Sequence, residues 1–108
     1  RLTPQYASAY KYRGNAYDHL GQYERAIQDY DEAIRLNPQD AVAYINRGIA
    51  YINLGQDERA MQDFNEAIRL DPQLALAYHV RGLTYQRLGK STEAALNIWK
   101  AKELGYEP

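Results

Sequence analysis

The sequence predicts an all-α fold, an α-solenoid of three antiparallel helix pairs, and three observations carry that prediction. A 34-residue period runs through the chain: Ala41–Leu74 set on Ala7–Asp40 gives 22 identities in 34 positions, and a weaker match continues over Ala75–Pro108. Pro4, Pro38 and Pro72 mark the period, as do Gly14, Gly48 and Gly82, and Gly21, Gly55 and Gly89. Within each period the apolar residues recur three and four apart, the spacing of a helix with one buried face. A fixed period of this size builds stacked supersecondary units, because one such unit cannot bury its apolar face alone.

The first helix is expected at about Tyr6–Leu20, with Ala7, Tyr10, Gly14 and Tyr17 along one face. Gly21 follows directly, placed to take the left-handed conformation that closes a helix. The second helix is expected at about Tyr23–Leu36, burying Ala26, Ile27, Tyr30, Ala33 and Ile34. Asn37-Pro38 ends it, since proline disfavours a helical conformation in the residue before it. The pattern predicts further helices at about Asp40–Leu54, Asp57–Leu70, Leu74–Leu88 and Ser91–Leu104, with Ser91 as an N-cap. Linkers of a few residues force consecutive helices to pack antiparallel. The opening RLTPQY aligns with Arg35–Asp40 and Arg69–Leu74 and reads as the tail of an upstream unit. The expected layout is one domain over 1–108: that tail in 1–6, then units 7–40, 41–74 and 75–108, cut from a longer array.

Small residues set the packing. Gly14 and Ala26 recur as Gly48 and Ala60, and as Gly82 and Ala94, one on each helix of a pair. A mid-helix glycine costs roughly 1 kcal/mol against alanine, so its threefold use implies close helix approach. Tyr10, Tyr17, Tyr44, Tyr51, Tyr78 and Tyr85 are expected to fill the remaining space as core residues. Arg13, Arg47 and Arg81 recur one residue before the glycine, and the pairing across each unit points to Asp29, Asp63 and Asn97. An arginine laid along a helix pair, stem packed and head on a carboxylate, is the expected role.

These residues resemble the tetratricopeptide repeat, whose 34-residue motif is a helix–turn–helix. The first unit matches at Tyr10, Gly14, Tyr17, Ala26, Tyr30, Ala33 and Pro38. The second matches at Tyr44, Gly48, Tyr51, Ala60, Phe64, Ala67 and Pro72. The third keeps Tyr78, Gly82, Tyr85, Ala94, Ile98 and Ala101 but has Tyr106 where proline is expected. The resemblance implies a right-handed superhelix whose first helices line a concave groove. It also implies a non-catalytic protein-interaction scaffold.

Composition agrees with such a role. Net charge is −1, and no basic stripe offers itself to nucleic acid, which argues against an RNA-binding helical repeat. No apolar run approaches the ~20 residues of a membrane span, so direct membrane insertion is not expected. Cysteine is absent, which removes disulfides and thiolate metal sites while leaving the compartment open, the cytoplasm being the expected one. His19 and His79 lie in different units without an acidic partner at metal-site spacing, so no cofactor or metal is expected. Ser8 and Ser91 sit in no nucleophile motif. Asp31/Arg35 and Glu66/Arg69 read as solvated helix-surface pairs.

Function must then lie on a surface. With the resemblance choosing the concave face, the first unit offers Ser8, Lys11, Asn15, Asp18 and His19, all polar. The second offers Val42, Ile45, Ile49 and Ile52 beside Asn46 and Asn53, and the third Leu76, His79, Leu83, Gln86 and Arg87. An apolar band flanked by a polar end suits an extended or helical segment of a partner protein or peptide. Some members of the family grip a chaperone tail by its C-terminal carboxylate. Lys11, Asn15 and Asn46 match three of five positions of that clamp, while Leu76 and Val80 replace its other two cations. An alternative is homo-oligomer assembly through the groove or the last helix. There Leu96 and Trp99 replace Gln62 and Asn65, and Lys102 replaces Ile68, as in a terminal cap.

Overall fold

The computed structural model describes residues 4–107, and among them stand six helices and no strand. They are α1 (Pro4–His19), α2 (Tyr23–Leu36), α3 (Ala41–Asn53), α4 (Asp57–Leu70), α5 (Ala75–Arg87) and α6 (Ser91–Glu103). Every expected helix is present, with ends moved by no more than two residues. Of the proposed upstream tail, residues 1–3 lie outside the described residues, and Pro4 opens α1.

Local chemistry sets the ends. After α1 the Gln22 N–H donates to the Tyr17 carbonyl at 2.9 Å and the Gly21 N–H to the Asp18 carbonyl at 3.0 Å. This is a Schellman closure, and it needs the positive φ of 74° that Gly21 supplies. Gln56 and Lys90 repeat the longer bond onto Tyr51 and Tyr85, closing α3 and α5. By contrast, α2 and α4 stop at Asn37 and Asp71, each followed by proline. The third unit changes the rule: α6 closes as the first helices do, with Tyr106 N–H donating to the Ala101 carbonyl at 2.9 Å. Asp40 caps α3, accepting from the N–H groups of Val42 and Ala43 at 3.1 and 3.3 Å. Ser91 is not a cap. It is the first residue of α6, Lys90 holds the cap position, and no side chain satisfies the free N–H groups there.

Packing follows the period. Each helix packs first on its partner, α1 on α2, α3 on α4 and α5 on α6, and then α2 on α3 and α4 on α5. In addition α1 touches α3 and α3 touches α5, whereas α2, α4 and α6 do not touch one another. A row that is in contact throughout lies inside the bend, so α1, α3 and α5 form the concave side. The molecule measures 45 × 26 × 22 Å.

The glycines mark the closest approach. A Cβ at Gly14 would lie 2.7 Å from Tyr30 Cε1, and one at Gly82 would lie 2.9 Å from Ile98 Cγ1. The large partner is thus a second-helix side chain, and Tyr30 and Phe64 are fully buried. The six first-helix tyrosines expected to fill this space are only half-buried. Several of them instead flank arginine: the Arg47 guanidinium carbon lies 5.5 Å from the Tyr44 ring centre and 6.0 Å from that of Tyr51.

The arginines pair as the spacing predicts. Arg13 grips Asp29 through Nε and Nη2, both at 2.8 Å, and Arg47 grips Asp63 at 2.9 and 2.7 Å. Asn97 receives one bond from Arg81, at 2.8 Å. Burial raises the Asp63 pKa, and the two bonds from Arg47 offset only part of that cost while holding the guanidinium charged, its pKa raised above the ordinary value. Each later arginine also reaches back one unit. Arg47 Nη1 donates to Asp31 at 2.9 Å and Arg81 Nη1 to Asn65 at 3.0 Å. Asp31 therefore does not pair with Arg35, which takes Glu32 instead. Glu66 pairs with Arg69 as expected.

Candidate functional site

Along the concave row the first unit contributes a polar cluster. Asn15 Oδ1 accepts from the Tyr30 hydroxyl at 2.6 Å and from Asn46 Nδ2 at 3.2 Å, so Asn15 and Asn46 are brought together across the first junction. Lys11 Nζ donates to Asp40 Oδ2 at 2.7 Å, so its charge is already engaged. Asp18 stands one turn beyond Asn15, and its buried Oδ1 has no hydrogen-bond partner among the described residues. Burial raises its pKa, with His19 pulling weakly the other way. Burial also raises the Tyr30 phenol, helped by the charges of Asp18 and Asp29.

The second and third units contribute an apolar floor. Ile49, Ile52, Val80, Leu83, Thr84 and Arg87, with Phe64 beneath, line a cavity of about 270 Å³. Ile49 and Ile52 are half-buried, whereas Val42, Leu76 and Leu83 are 42%, 39% and 41% exposed. Thr84 spends its hydroxyl on the Val80 carbonyl at 2.8 Å, which keeps that wall apolar toward solvent. Arg87 closes the far rim, paired with Asp57 at 3.2 Å.

Two expected groove residues belong elsewhere. Ile45 has no exposed surface and packs in the core with Ala41, Ala60, Phe64, Ala67 and Ala77. It cannot line an open groove. His79 is half-buried and stacked on Tyr106, ring centres 4.0 Å apart. Lys11, Ile45 and His79 occupy one position of the repeat. In the first and third units it meets the segment that follows the second helix, through Asp40 and Tyr106. In the second it is sealed over.

The sequence pattern alone gives Thr84 no site role and Val80 only the place of a missing cation. The three- and four-residue spacing of Ile49, Ile52, Val80 and Thr84 was the available signal. Leu96 and Trp99, 62% and 61% exposed, lie on α6 away from the groove. Among the described residues no group of three His, Cys, Asp or Glu side chains is placed to hold a metal ion. No helix among the described residues is long and apolar enough to cross a membrane.

The chain is similar to solved structures over nearly its whole length. It is 35% identical to the second TPR of Spaghetti (RPAP3) bound to the HSP90 peptide SRMEEVD, with a TM-score of 0.90 and 94% of both chains covered. It is 34% identical to the second TPR domain of human RPAP3, solved with the HSP70 peptide SGPTIEEVD, with a TM-score of 0.89 and coverage of 95% and 87%. The Arabidopsis OM64 TPR domain gives 32% identity and a TM-score of 0.92, covering 94% of this chain and 84% of that one. No match was found among curated protein sequences. Family models described as tetratricopeptide repeat match residues 7–40 and 29–62, and one described as TPR repeat matches 50–89. The chain belongs to the tetratricopeptide repeat family and is a non-catalytic protein-interaction module.

Proposed function

We propose that the concave face binds an extended segment of a partner protein, with apolar side chains seated over Ile49, Ile52, Val80 and Leu83. The observation that carries this reading is the apolar cavity of about 270 Å³ lined by α3 and α5, with exposed Val42 and Leu76 two turns before Ile49 and Leu83 on the same helices. Apolar surface in a concave site gives affinity, and a few polar groups at one end give direction. Here those groups are Asn15, Asn46 and Asp18.

A second reading is favoured by one observation. Lys11, Asn15 and Asn46 stand together, and two similar domains were solved with peptides ending in EEVD. A carboxylate at this end would compete with Asp40 for Lys11, feel the like charge of Asp18 one turn beyond Asn15, and find Leu76 and Val80 where cations would help. An acidic tail is therefore a poor fit. The test is a titration of the ¹⁵N-labelled chain with SRMEEVD and with SRMLLVD, in which leucines replace both glutamates. The apolar reading expects SRMLLVD to bind at least tenfold more tightly and to shift the amides of Ile49, Ile52, Val80 and Leu83. Tighter binding of SRMEEVD would establish recognition of an acidic tail instead. If neither peptide moves a groove amide, the groove assignment fails.

A further inference from the structure

The apolar cavity between α3 and α5 has a counterpart one period earlier, between α1 and α3. Where the cavity has Ile49, Ile52, Val80 and Leu83, the earlier positions hold Asn15, Asp18, Asn46 and Ile49, with Tyr30 in the place of Phe64. The inner face thus carries two seats in a row, a polar one and an apolar one, and Ile49 stands at both. Each seat lies between two helices of the chain itself. By the same register, α1 would meet a preceding unit through Tyr12 and Ala16, the equivalents of Asn46 and Ala50, and not through Asn15 or Asp18.

Hydrogen bonding in the polar seat leaves one group over. Asn15 Oδ1 takes the Tyr30 hydroxyl and Asn46 Nδ2, and His19 Nδ1 meets the Asn15 carbonyl at 2.9 Å. Tyr30 is near enough for the Asp18 charge to raise its phenol pKa, yet it spends its proton on Asn15. Asp18 is half-buried, and among the described residues its inner oxygen accepts no hydrogen bond and its carboxylate has no ion pair. The charges elsewhere along the row are cancelled, Lys11 by Asp40 and Arg87 by Asp57. The seat therefore presents an uncompensated negative charge, partly withdrawn from water, next to an apolar cavity. Such a carboxylate gains from a cation that brings its own N–H donors.

Resting on the groove reading, we infer that the partner segment carries a lysine or arginine close to its apolar residue, the cation meeting Asp18 while the apolar side chain fills the neighbouring cavity. Both side chains must leave the same face of the segment, which in an extended chain means a spacing of two residues, about 7 Å. The α1 and α3 helices touch, so the seats stand about 10 Å apart, and a long basic side chain spans the difference. Asp18 is then the residue that sets specificity, and the apolar cavity supplies affinity that any apolar residue could use.

Two pairs of N-acetylated peptides test it by titration of the ¹⁵N-labelled chain. SRMLLVD, with arginine two residues before a leucine, is set against SQMLLVD, and DVLLMRS against DVLLMQS covers the opposite chain direction. In one direction the arginine peptide should bind at least about fivefold more tightly than its glutamine partner and shift the Asp18 amide together with those of Ile49 and Ile52. Asp18→Asn should erase that preference, and Asp18→Glu should restore part of it, with circular dichroism confirming unchanged helix content in both. Peptides that shift the groove amides equally with arginine or glutamine, in both directions, overturn this inference and leave the groove reading standing. A preference for arginine that survives Asp18→Asn overturns it as well, since the cation then sits elsewhere. If no peptide moves the amides of Ile49, Ile52, Val80 and Leu83, the groove reading fails and this inference falls with it.

Discussion

Gly48 faces Phe64 so closely that a Cβ on Gly48 would stand 2.5 Å from the ring's Cε1. No carbon–carbon contact tolerates that separation, so α3 and α4 are held at this distance only because the side chain is missing. Gly48→Ala should lower stability by about 1–3 kcal/mol despite a helix-propensity gain of roughly 1 kcal/mol. Urea denaturation followed by circular dichroism reads the difference. Gly82→Ala should cost less, since its closest contact is the Ile98 Cγ1 at 2.9 Å, although the Ala94 carbonyl at 3.2 Å cannot move aside.

The inner face divides sharply into core and groove. Ile45→Glu places a charge in a fully buried site without a partner and should unfold the chain at room temperature. Leu83→Glu, at a site 41% exposed, should leave the melting temperature within a few degrees of the parent. It should nonetheless abolish the response of the groove amides to an apolar peptide. If Ile45→Glu melts like the parent, its burial has been misassigned.

Asp18 gives a pH signature with a defined sign. Its folded-state pKa is raised by burial, so the native state binds this proton more tightly than the unfolded chain does. The contribution to stability is present below the unfolded pKa and is lost as pH rises through the folded one. At neutral pH Asp18 is therefore a cost, and Asp18→Asn should stabilise the protein by at most about 1 kcal/mol, since the side chain is only partly buried. The advantage should shrink as pH falls into the carboxylate range. Thermal melts of both proteins at several pH values follow it. A gain that persists unchanged in acid would assign the effect to something other than this carboxyl.

The arginines rank by what their removal strands. Arg47→Ala leaves Asp63, only 4% exposed, without its partner and removes the link to Asp31, for a loss of about 3 kcal/mol. Arg69→Ala removes a surface pair and should change stability by less than about 0.5 kcal/mol. Chemical denaturation of both variants tests the order, and equal losses would contradict it.

The period made the fold legible. Two helices per unit, the glycine closures after the first helices and the Arg13–Asp29 pairing all follow from relations within one unit. What escaped depends on how one unit sits on the next. Asp31 was read with Arg35 on its own helix, because only the superhelical stacking brings Arg47 to it. Ile45 was placed in the groove because the same position is lysine in the first unit and histidine in the third, which disguises a buried site as a variable surface. Ile49, Ile52 and Leu83 were legible as inner-face residues once the resemblance chose the concave side, whereas Val80 and Thr84, which complete the floor, were not. The Tyr106–His79 stack was not, since it requires the chain to fold back after α6.

Every contact between helices joins neighbours in the chain or next-but-one neighbours. No segment must wait for a distant one before it gains from packing, so little loop-closure entropy is spent before contacts form. Folding can begin at any pair and spread outward one helix at a time. The arginines make that spreading directional in its rewards: a pair that forms ahead of its predecessor keeps its own carboxylate or amide bond but lacks the backward one until the earlier second helix arrives. A chain whose earlier second helix is still unformed therefore lacks Asp31–Arg47 or Asn65–Arg81, while the later unit keeps its internal bond to Asp63 or Asn97.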